Sequence, residues 1–291
     1  MKYGVVFPQT EIGADVSDVR RYAEAAEGLG YDYLLAFDHV IGADPSRPGP
    51  WQGGPYNYES MFHEPMVLFG YLAGIVRELE FTTGILILPQ RQTVLVAKQA
   101  AEVDRLSGGR LRLGIGVGWN PLEYEALGQD FHTRGKRQAE QVALLRKLWT
   151  QRLVNFKGNF HNVPGGGIYP LPIQQPIPIW FGGGADAVLR RMARLGDGWI
   201  PNTSSPERLA DMLEKLRGYI EDAGRDPDAF GVDVRLDMRR VPEDTWAERV
   251  ERLHPLGVTH VCVNTMNMAF SVDEHIEAIG RFKATVDAVG L

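Results

Sequence analysis

A chain of 291 residues with 44% hydrophobic and 23% charged content reads as an ordinary globular protein, long enough for one large domain. Its formal net charge of −6, with no basic run, argues against nucleic acid or an anionic membrane surface as a partner. Cys262, the only cysteine, sits in the apolar run Val258 to Val263, so it reads as a buried strand thiol that can form no disulfide within the chain.

The chain begins Met1-Lys-Tyr-Gly-Val-Val-Phe-Pro, going directly into a strand-like run without a basic and then apolar leader. No apolar window nears the roughly 20 residues a membrane helix needs. A cytoplasmic protein is the expectation.

Tyr3 to Phe7 predicts a first strand. Val16, Val19, Ala23 and Ala26 follow at helical spacing, with Arg20, Arg21, Glu24 and Glu27 on the wet side. Tyr33 to Phe37 is a second strand ending in Asp38-His39. Residues 40–63 are rich in Gly, Pro and aromatics, including Trp51, Tyr56 and Tyr58, and predict a long loop of the kind that covers a binding site. A helix over Pro65 to Val76 leads to a third strand, Leu79 to Leu88. Another helix, Val94 to Leu106, stops at Ser107-Gly108-Gly109 as a glycine C-terminus should.

The fourth strand runs from Leu111 into Gly114, Gly116 and Gly118, after which Trp119, Asn120 and Pro121 open a helix. Glycine at alternate positions strips side chains from one side of a strand. Either a flat ligand lies on that backbone with Trp119 as a wall, or the strand merely turns a tight corner. A Rossmann fingerprint is excluded, because the third glycine of G-x-G-x-x-G is missing.

Arg134 to Thr150 is a long amphipathic helix. The segment 151–176 breaks the rhythm: Val154-Asn-Phe and Asn159-Phe-His predict a small hairpin, and Gly165 to Pro178 a proline-rich return. It reads as an insertion within one domain, 1–291. A fifth strand, Ile177 to Phe181, runs into Gly182, Gly183 and Gly184, followed by a helix from Asp186 to Leu195. Gly198 to Ile200 is a sixth strand, and Ser205-Pro206 opens the next helix. Gly231 to Met238 and Val258 to Val263 complete eight strands, and Ser271-Val-Asp-Glu274 is a capping box for the last helix. Eight strands alternating with helices is the count of a single α/β (β/α)8 TIM barrel, whose functional loops follow the strands.

Two of those loops carry chemistry. Gly182 to Gly184 precedes a helix whose free N–H groups and dipole suit a phosphate; a plain glycine turn is the alternative. Asp38-His39 is either an acid/base pair at the reacting end of a ligand or a histidine held for structure. No H-E-x-x-H, two-His-plus-carboxylate spacing or cysteine cluster supports a metal site. There is no nucleophile elbow or Walker loop, and the spacing of Glu59, Glu64, Glu123 and Glu125 does not favour a glycosidase. Lys98, Lys136 and Lys147 fall on predicted helices, which disfavours an aldolase.

Taken together, the motifs Phe37-Asp38-His39, Thr82-Thr-Gly-Ile-Leu-Ile-Leu-Pro89, Arg105 to Trp119, Glu123-Tyr-Glu-Ala-Leu-Gly128, Pro178 to Gly184 and Gly196-Asp-Gly-Trp199 resemble the luciferase-like flavin and deazaflavin oxidoreductases, most closely the branch that uses coenzyme F420. They run in family order to about residue 200. The resemblance implies a luciferase-like barrel, typically dimeric, holding F420, or alternatively FMN, at its C-terminal mouth, with a small organic molecule as substrate. It places Asp38 and His39 beside the reacting ring and a non-proline cis peptide at Gly84-Ile85 behind it. Gly116, Val117, Gly118 and Trp119 line the ring or ribityl chain, and Gly182, Gly183 and Gly184 take the phosphate. The implied reaction is hydride transfer between F420 and the substrate. An FMN-dependent monooxygenase using dioxygen is the alternative, and a non-catalytic flavin-binding protein a second one. Sugar-phosphate dehydrogenases of this kind carry a tryptophan soon after the Asp-His pair and a glutamate after the fourth strand's glycines. Val40 to Asp44 and Trp119 stand there instead, so that substrate is not implied.

Overall fold

Strand and helix alternate along the chain because apolar runs of a few residues are each followed by a stretch with one apolar face. The computed structural model describes residues 1–47 and 54–290. The first half holds β1 (Lys2–Val6), α1 (Gln9–Ile12), α2 (Val16–Gly28), β2 (Tyr33–Ala36), α3 (Pro65–Ala73), β3 (Glu80–Thr83), β4 (Leu86–Ile87), α4 (Thr93–Leu106), β5 (Leu111–Gly116), α5 (Pro121–Ala126) and α6 (Arg134–Thr150). Then come β6 (Val154–Lys157), β7 (Asn162–Gly166), β8 (Ile179–Gly182), α7 (Asp186–Leu195), β9 (Gly198–Ile200), α8 (Pro206–Asp222), β10 (Gly231–Asp237), α9 (Trp246–Leu253), β11 (His260–Asn264) and α10 (Val272–Ala288).

The strands pair in the order β3-β2-β1-β11-β10-β9-β8-β5-β4, and β3 also pairs with β5, which closes the ring. The ladders around it are parallel. β3 and β4 are two halves of one stave, so nine strands make an eight-stave parallel barrel with helices between the staves. The expected continuous strand Leu79 to Leu88 is therefore interrupted, at the cis peptide Gly84–Ile85. The capping box of α10 forms as expected, Ser271 and Glu274 each binding the other's backbone.

The hairpin in 151–176 differs from expectation. β6 pairs antiparallel with β7 at Asn162–Gly166, not with Asn159 to His161. The Glu140 carboxylate takes the backbone N–H groups of Asn159, Phe160 and His161 at 2.7, 2.9 and 2.8 Å, so these residues wrap a side chain instead of joining a ladder.

The lumen is plugged at the end where the strands begin. The rings of Tyr33 and Trp180 fill it, and a Cβ on Gly4, Gly198 or Gly231 would lie 2.2–2.3 Å from one of them. The Arg112 guanidinium lies between the two rings, 4.7 and 4.2 Å from their centroids, and pairs with Asp233 at 3.0 Å. Tyr33 Oη donates to the other Asp233 oxygen at 2.7 Å. The pair is buried, so each charge compensates the other, although Arg112 Nε and Nη1 find no hydrogen-bond partner among the described residues. Cys262 is fully buried in β11. The opposite end, where the strands finish, stays open, and the loops gather there.

Candidate active site

Asp38 and His39 follow β2 but diverge. Asp38 is 2% exposed. Its Oδ2 accepts the Ile87 N–H at 2.9 Å and its Oδ1 faces Arg91 Nη2 at 2.7 Å. Arg91 in turn reaches Glu64 at 2.8 Å. Asp38 thus fastens the chain just beyond the stave break. His39 turns toward the mouth. Its ring lies over Tyr56, with centroids 3.7 Å apart, and meets the edge of Phe62 at 4.7 Å.

Behind His39 stands Glu123, which is fully buried on the first turn of α5. Asn120 caps that helix through the Leu122 N–H, and Pro121 presets its first turn. One Glu123 oxygen accepts from Tyr56 Oη at 2.8 Å and lies 3.1 Å from His39 Nδ1. The other accepts from Gln90 Nε2 at 2.9 Å. A carboxylate only accepts, so Nδ1 is the donor in this pair. Burial, then Glu123, push the Tyr56 phenol far above its ordinary pKa, so it stays a donor. Sequence reading passed over Glu123 as a site residue, because an acid in the first turn of a helix has an ordinary electrostatic reason to be there.

The glycine column is filled from inside the barrel. A Cβ on Gly116 would lie 2.2 Å from Ile85 Cδ1, and one on Gly182 2.7 Å from Ile85 Cγ2. Gly118, at φ +65°, faces Ile87 in the same way, and Gly114 faces the Thr83 carbonyl. The space beside Gly116 and Gly182 is thus occupied by the Ile85 side chain. Ile85 is half-buried, where its neighbours from Phe81 to Gln90 are buried. Val117 is held by its carbonyl, which accepts from Tyr124 Oη at 2.6 Å. Trp119 packs on Tyr56 at 5.6 Å and on Gly54, beside a cavity of about 300 Å³ that Ala43, Pro45 and Ser60 also line. Tyr56 and Tyr58 of that loop divide: Tyr56 is buried in the site and Tyr58 is 63% exposed. Trp51 lies outside the described residues.

At the turn before α7, Gly183 adopts φ +111°, a conformation open to glycine. Its N–H makes only a long 3.4 Å bond to Ile200 O, and its carbonyl accepts from Trp199 Nε1 at 2.6 Å. The N–H groups of Gly184 and Ala185 meet no acceptor among the described residues. Asp186 is drawn outward by Tyr219 Oη at 2.5 Å and Arg190 Nε at 2.8 Å, so its charge does not close this helix end.

A cavity of about 550 Å³ opens at the mouth, within the range of small-molecule sites. His39 and Tyr56 line it with Phe37, Phe62 and Met266. Its polar wall carries four arginines, Arg208, Arg235, Arg239 and Arg240, against the single carboxylate of Asp237. Asp38, Trp119 and the glycines of β5 and β8 lie outside its lining. The basic wall was also missed. The alternation Asp233, Arg235, Asp237 between Val232, Val234 and Leu236 was the available signal, since charged residues at every second position of a barrel strand face the lumen.

The family model for luciferase-like monooxygenases matches residues 1–282. The chain belongs to the luciferase-like monooxygenase family. An uncharacterized Mycobacterium tuberculosis protein is 36% identical to this luciferase-like chain over 265 residues, 88% of each. The F420-dependent glucose-6-phosphate dehydrogenase of Segniliparus rotundus is 29% identical over 235 residues, 77% of this chain and 65% of that protein. The FMNH2-dependent dimethylsulfone monooxygenase of Pseudomonas putida is 29% identical over 210 residues, 70% of this chain and 53% of that protein. The crystal structure of the monooxygenase RslO1 from Streptomyces bottropensis superposes with a TM-score of 0.85 at 18% identity, covering 100% of both chains.

The residues of this luciferase-like barrel suit a group with a flat apolar body and an anionic tail. Ile85 is a half-buried apolar side chain beside Gly116 and Gly182, and the Gly184 and Ala185 amides are uncommitted donors at a helix N-terminus. Among its described residues no helix is long and apolar enough to cross a membrane.

Proposed function

We propose that this protein is an oxidoreductase that moves hydride between coenzyme F420 and a small organic substrate at the C-terminal mouth of the barrel. The observation that carries the reading is Ile85, only half-buried in an otherwise buried stretch and seated in the space that Gly116 and Gly182 leave. It makes a rigid apolar support at the open end of a lumen whose other end is packed. The identity with the F420-dependent dehydrogenase supports the choice of cofactor.

Bound F420 would supply the hydride chemistry. The protein's part is orientation and proton handling. Ile85 backs the ring, and Val117, Gly118 and the turn 182–184 border it, with the Gly184 and Ala185 N–H groups taking the phosphate. His39 Nε2 accepts or donates the proton that accompanies hydride at the substrate, while Glu123 holds the imidazole's orientation through Nδ1. Tyr56 and Phe62 fix the ring from its faces and keep water from that side. Asp38 is a positioning residue: paired with Arg91, it holds Ile87 and with it the support formed by Ile85. We also propose a second copy of the chain as partner, on the face where Val67, Tyr71, Val94 and Leu95 stand exposed on the packed pair α3 and α4.

A second reading has an observation behind it. The identity with the FMNH2-dependent monooxygenase favours reduced FMN and dioxygen on the same support. Titrating the purified protein with F420 and with FMN, followed by absorbance, separates the two. The proposal expects saturable F420 binding tighter than FMN binding. Tighter FMN binding transfers the assignment to the monooxygenase, and binding of neither removes both.

A further inference from the structure

On β10 the lumen-facing charges are Asp233, Arg235 and Asp237, and both aspartates are committed. Asp233 serves Tyr33 and Arg112, at 2.7 and 3.0 Å. Asp237 takes Arg239 Nη2 at 2.7 Å, its Nε at 3.1 Å and the Arg239 backbone N–H at 3.1 Å. Arg240 stands 3.7 Å from the same carboxylate. Arg235 has neither a hydrogen bond nor an ion pair from its side chain to any described residue. Its guanidinium carbon lies 5.1 Å from the centroid of the Phe37 ring, which supports the plane without neutralising it.

Burial holds the Arg235 pKa below its ordinary value although the nearby charges of Asp233 and Asp237 pull it up, so they do not fully compensate the guanidinium. Yet the side chain opens onto the mouth cavity, where Arg208, Arg239 and Arg240 add positive charge and Asp237 is already engaged. In a chain of net charge −6 this wall is a local arrangement, not a by-product of composition. A planar fork of N–H donors over an aromatic face is matched by a planar anion with two oxygens.

We propose that Arg235 seats the carboxylate of the substrate, which makes the substrates of this protein small organic acids with an apolar body. The apolar surfaces of Phe62 and Met266 on the same cavity take that body, and His39 shares the cavity, so an acid held by Arg235 has its other end within the proton-handling part of the wall. The inference rests on the redox reading of the mouth for what happens to the acid, not for its seat. An anionic cofactor phosphate has related chemistry, and the test separates the two sources.

The probes are benzoate and its neutral counterpart benzamide, titrated by calorimetry into the full chain, alone and after saturation with F420 or FMN. Wild type is compared with Arg235→Gln and with Arg235→Lys, which keeps the charge and loses the fork. The expected result is benzoate binding at least about tenfold tighter than benzamide to wild type, as charge-assisted hydrogen bonds imply. Arg235→Gln brings the two probes level, Arg235→Lys retains part of the difference, and neither changes cofactor affinity. Equal binding of the probes to wild type, or a preference that survives Arg235→Gln, overturns the proposal. So does a loss of F420 or FMN affinity in Arg235→Gln with benzoate binding intact, which assigns the guanidinium to the cofactor. An Arg235-dependent benzoate preference in a protein that binds neither cofactor supports the seat and removes the redox reading alone.

Discussion

Arg91 Nη2 lies 2.7 Å from Asp38 Oδ1, while Asp38 Oδ2 accepts the Ile87 N–H at 2.9 Å. One buried carboxylate thus ties the loop after β2 to the second half of the interrupted stave. Removing one partner of a buried pair leaves the other uncompensated. Asp38→Ala is expected to lower unfolding free energy by about 3 kcal/mol, with Glu64 offsetting some of the loss at Arg91. Asp38→Asn keeps an acceptor for Ile87 and is expected to cost about 1–2 kcal/mol. Urea unfolding midpoints check the order; equal, near-zero costs would show that the pair holds nothing in place.

His39 and Glu123 should separate differently. His39 is partly exposed and contributes one hydrogen bond, so His39→Gln is expected to leave the unfolding midpoint nearly unchanged. Its turnover is expected to fall about a hundredfold, the lower end of general acid–base effects. Glu123→Ala strands the buried donors of Tyr56 and Gln90 as well as His39, and is expected to cost about 3 kcal/mol in stability as well as turnover. Steady-state rates with unfolding curves on both variants decide this. A His39→Gln variant with wild-type kcat would take the imidazole out of the chemistry.

The Ile85 support can be probed by packing. Gly182→Ala places a methyl 2.7 Å from Ile85 Cγ2 and is expected to destabilise by about 1–3 kcal/mol. Combining it with Ile85→Ala should recover part of that loss, because the two changes share one space. Gly114→Ala meets the Thr83 carbonyl at 1.9 Å, where Ile85→Ala offers no relief. Additive losses at Gly182 and Ile85 would mean that the two do not share a space.

Acid stability carries a sign that can be read from His260. Burial first, then the charges of Arg112, Lys2 and the N-terminus, hold its imidazole at about 2 against an ordinary 6.5. Below 6.5 the unfolded chain takes up a proton that the folded chain refuses, so this contribution to stability is lost as pH falls from 6.5 toward 2. Its slope is at most about 1.4 kcal/mol per pH unit. His63 and His275 are also held down by burial and act in the same sense. His260→Gln should flatten the fall in stability between pH 6 and 4 (about one group's worth of slope). An unchanged slope would mean that His260 is protonated in the folded protein.

The staves and most of the helices were legible because each is a local pattern. Arg134 to Thr150 and Asp186 to Leu195 end where their periodicity ends. What was not legible depends on partners far along the chain. The glycine column marks where side chains are missing, but it cannot say that Ile85, from another stave, moves into the gap. Asp38 and His39 are adjacent in sequence, yet one is claimed by Arg91 and the other by Glu123, 53 and 84 positions away. Without those distant groups the pair reads as one unit. The hairpin boundary slipped for the same reason: Glu140 on α6 captured the amides that the local pattern assigned to a strand.

The most direct test of the account compares the dissociation constants of F420 and of the same deazaflavin stripped of its phosphate, for wild type and for Ala185→Pro. Ala185 has φ −68°, which proline accepts, so the substitution removes one N–H donor at the proposed phosphate position without forcing the backbone. The account predicts that wild type binds intact F420 at least about tenfold more tightly than the stripped ring, and that Ala185→Pro narrows this gap. Equal affinity for the two ligands in wild type, or binding of neither, would contradict it.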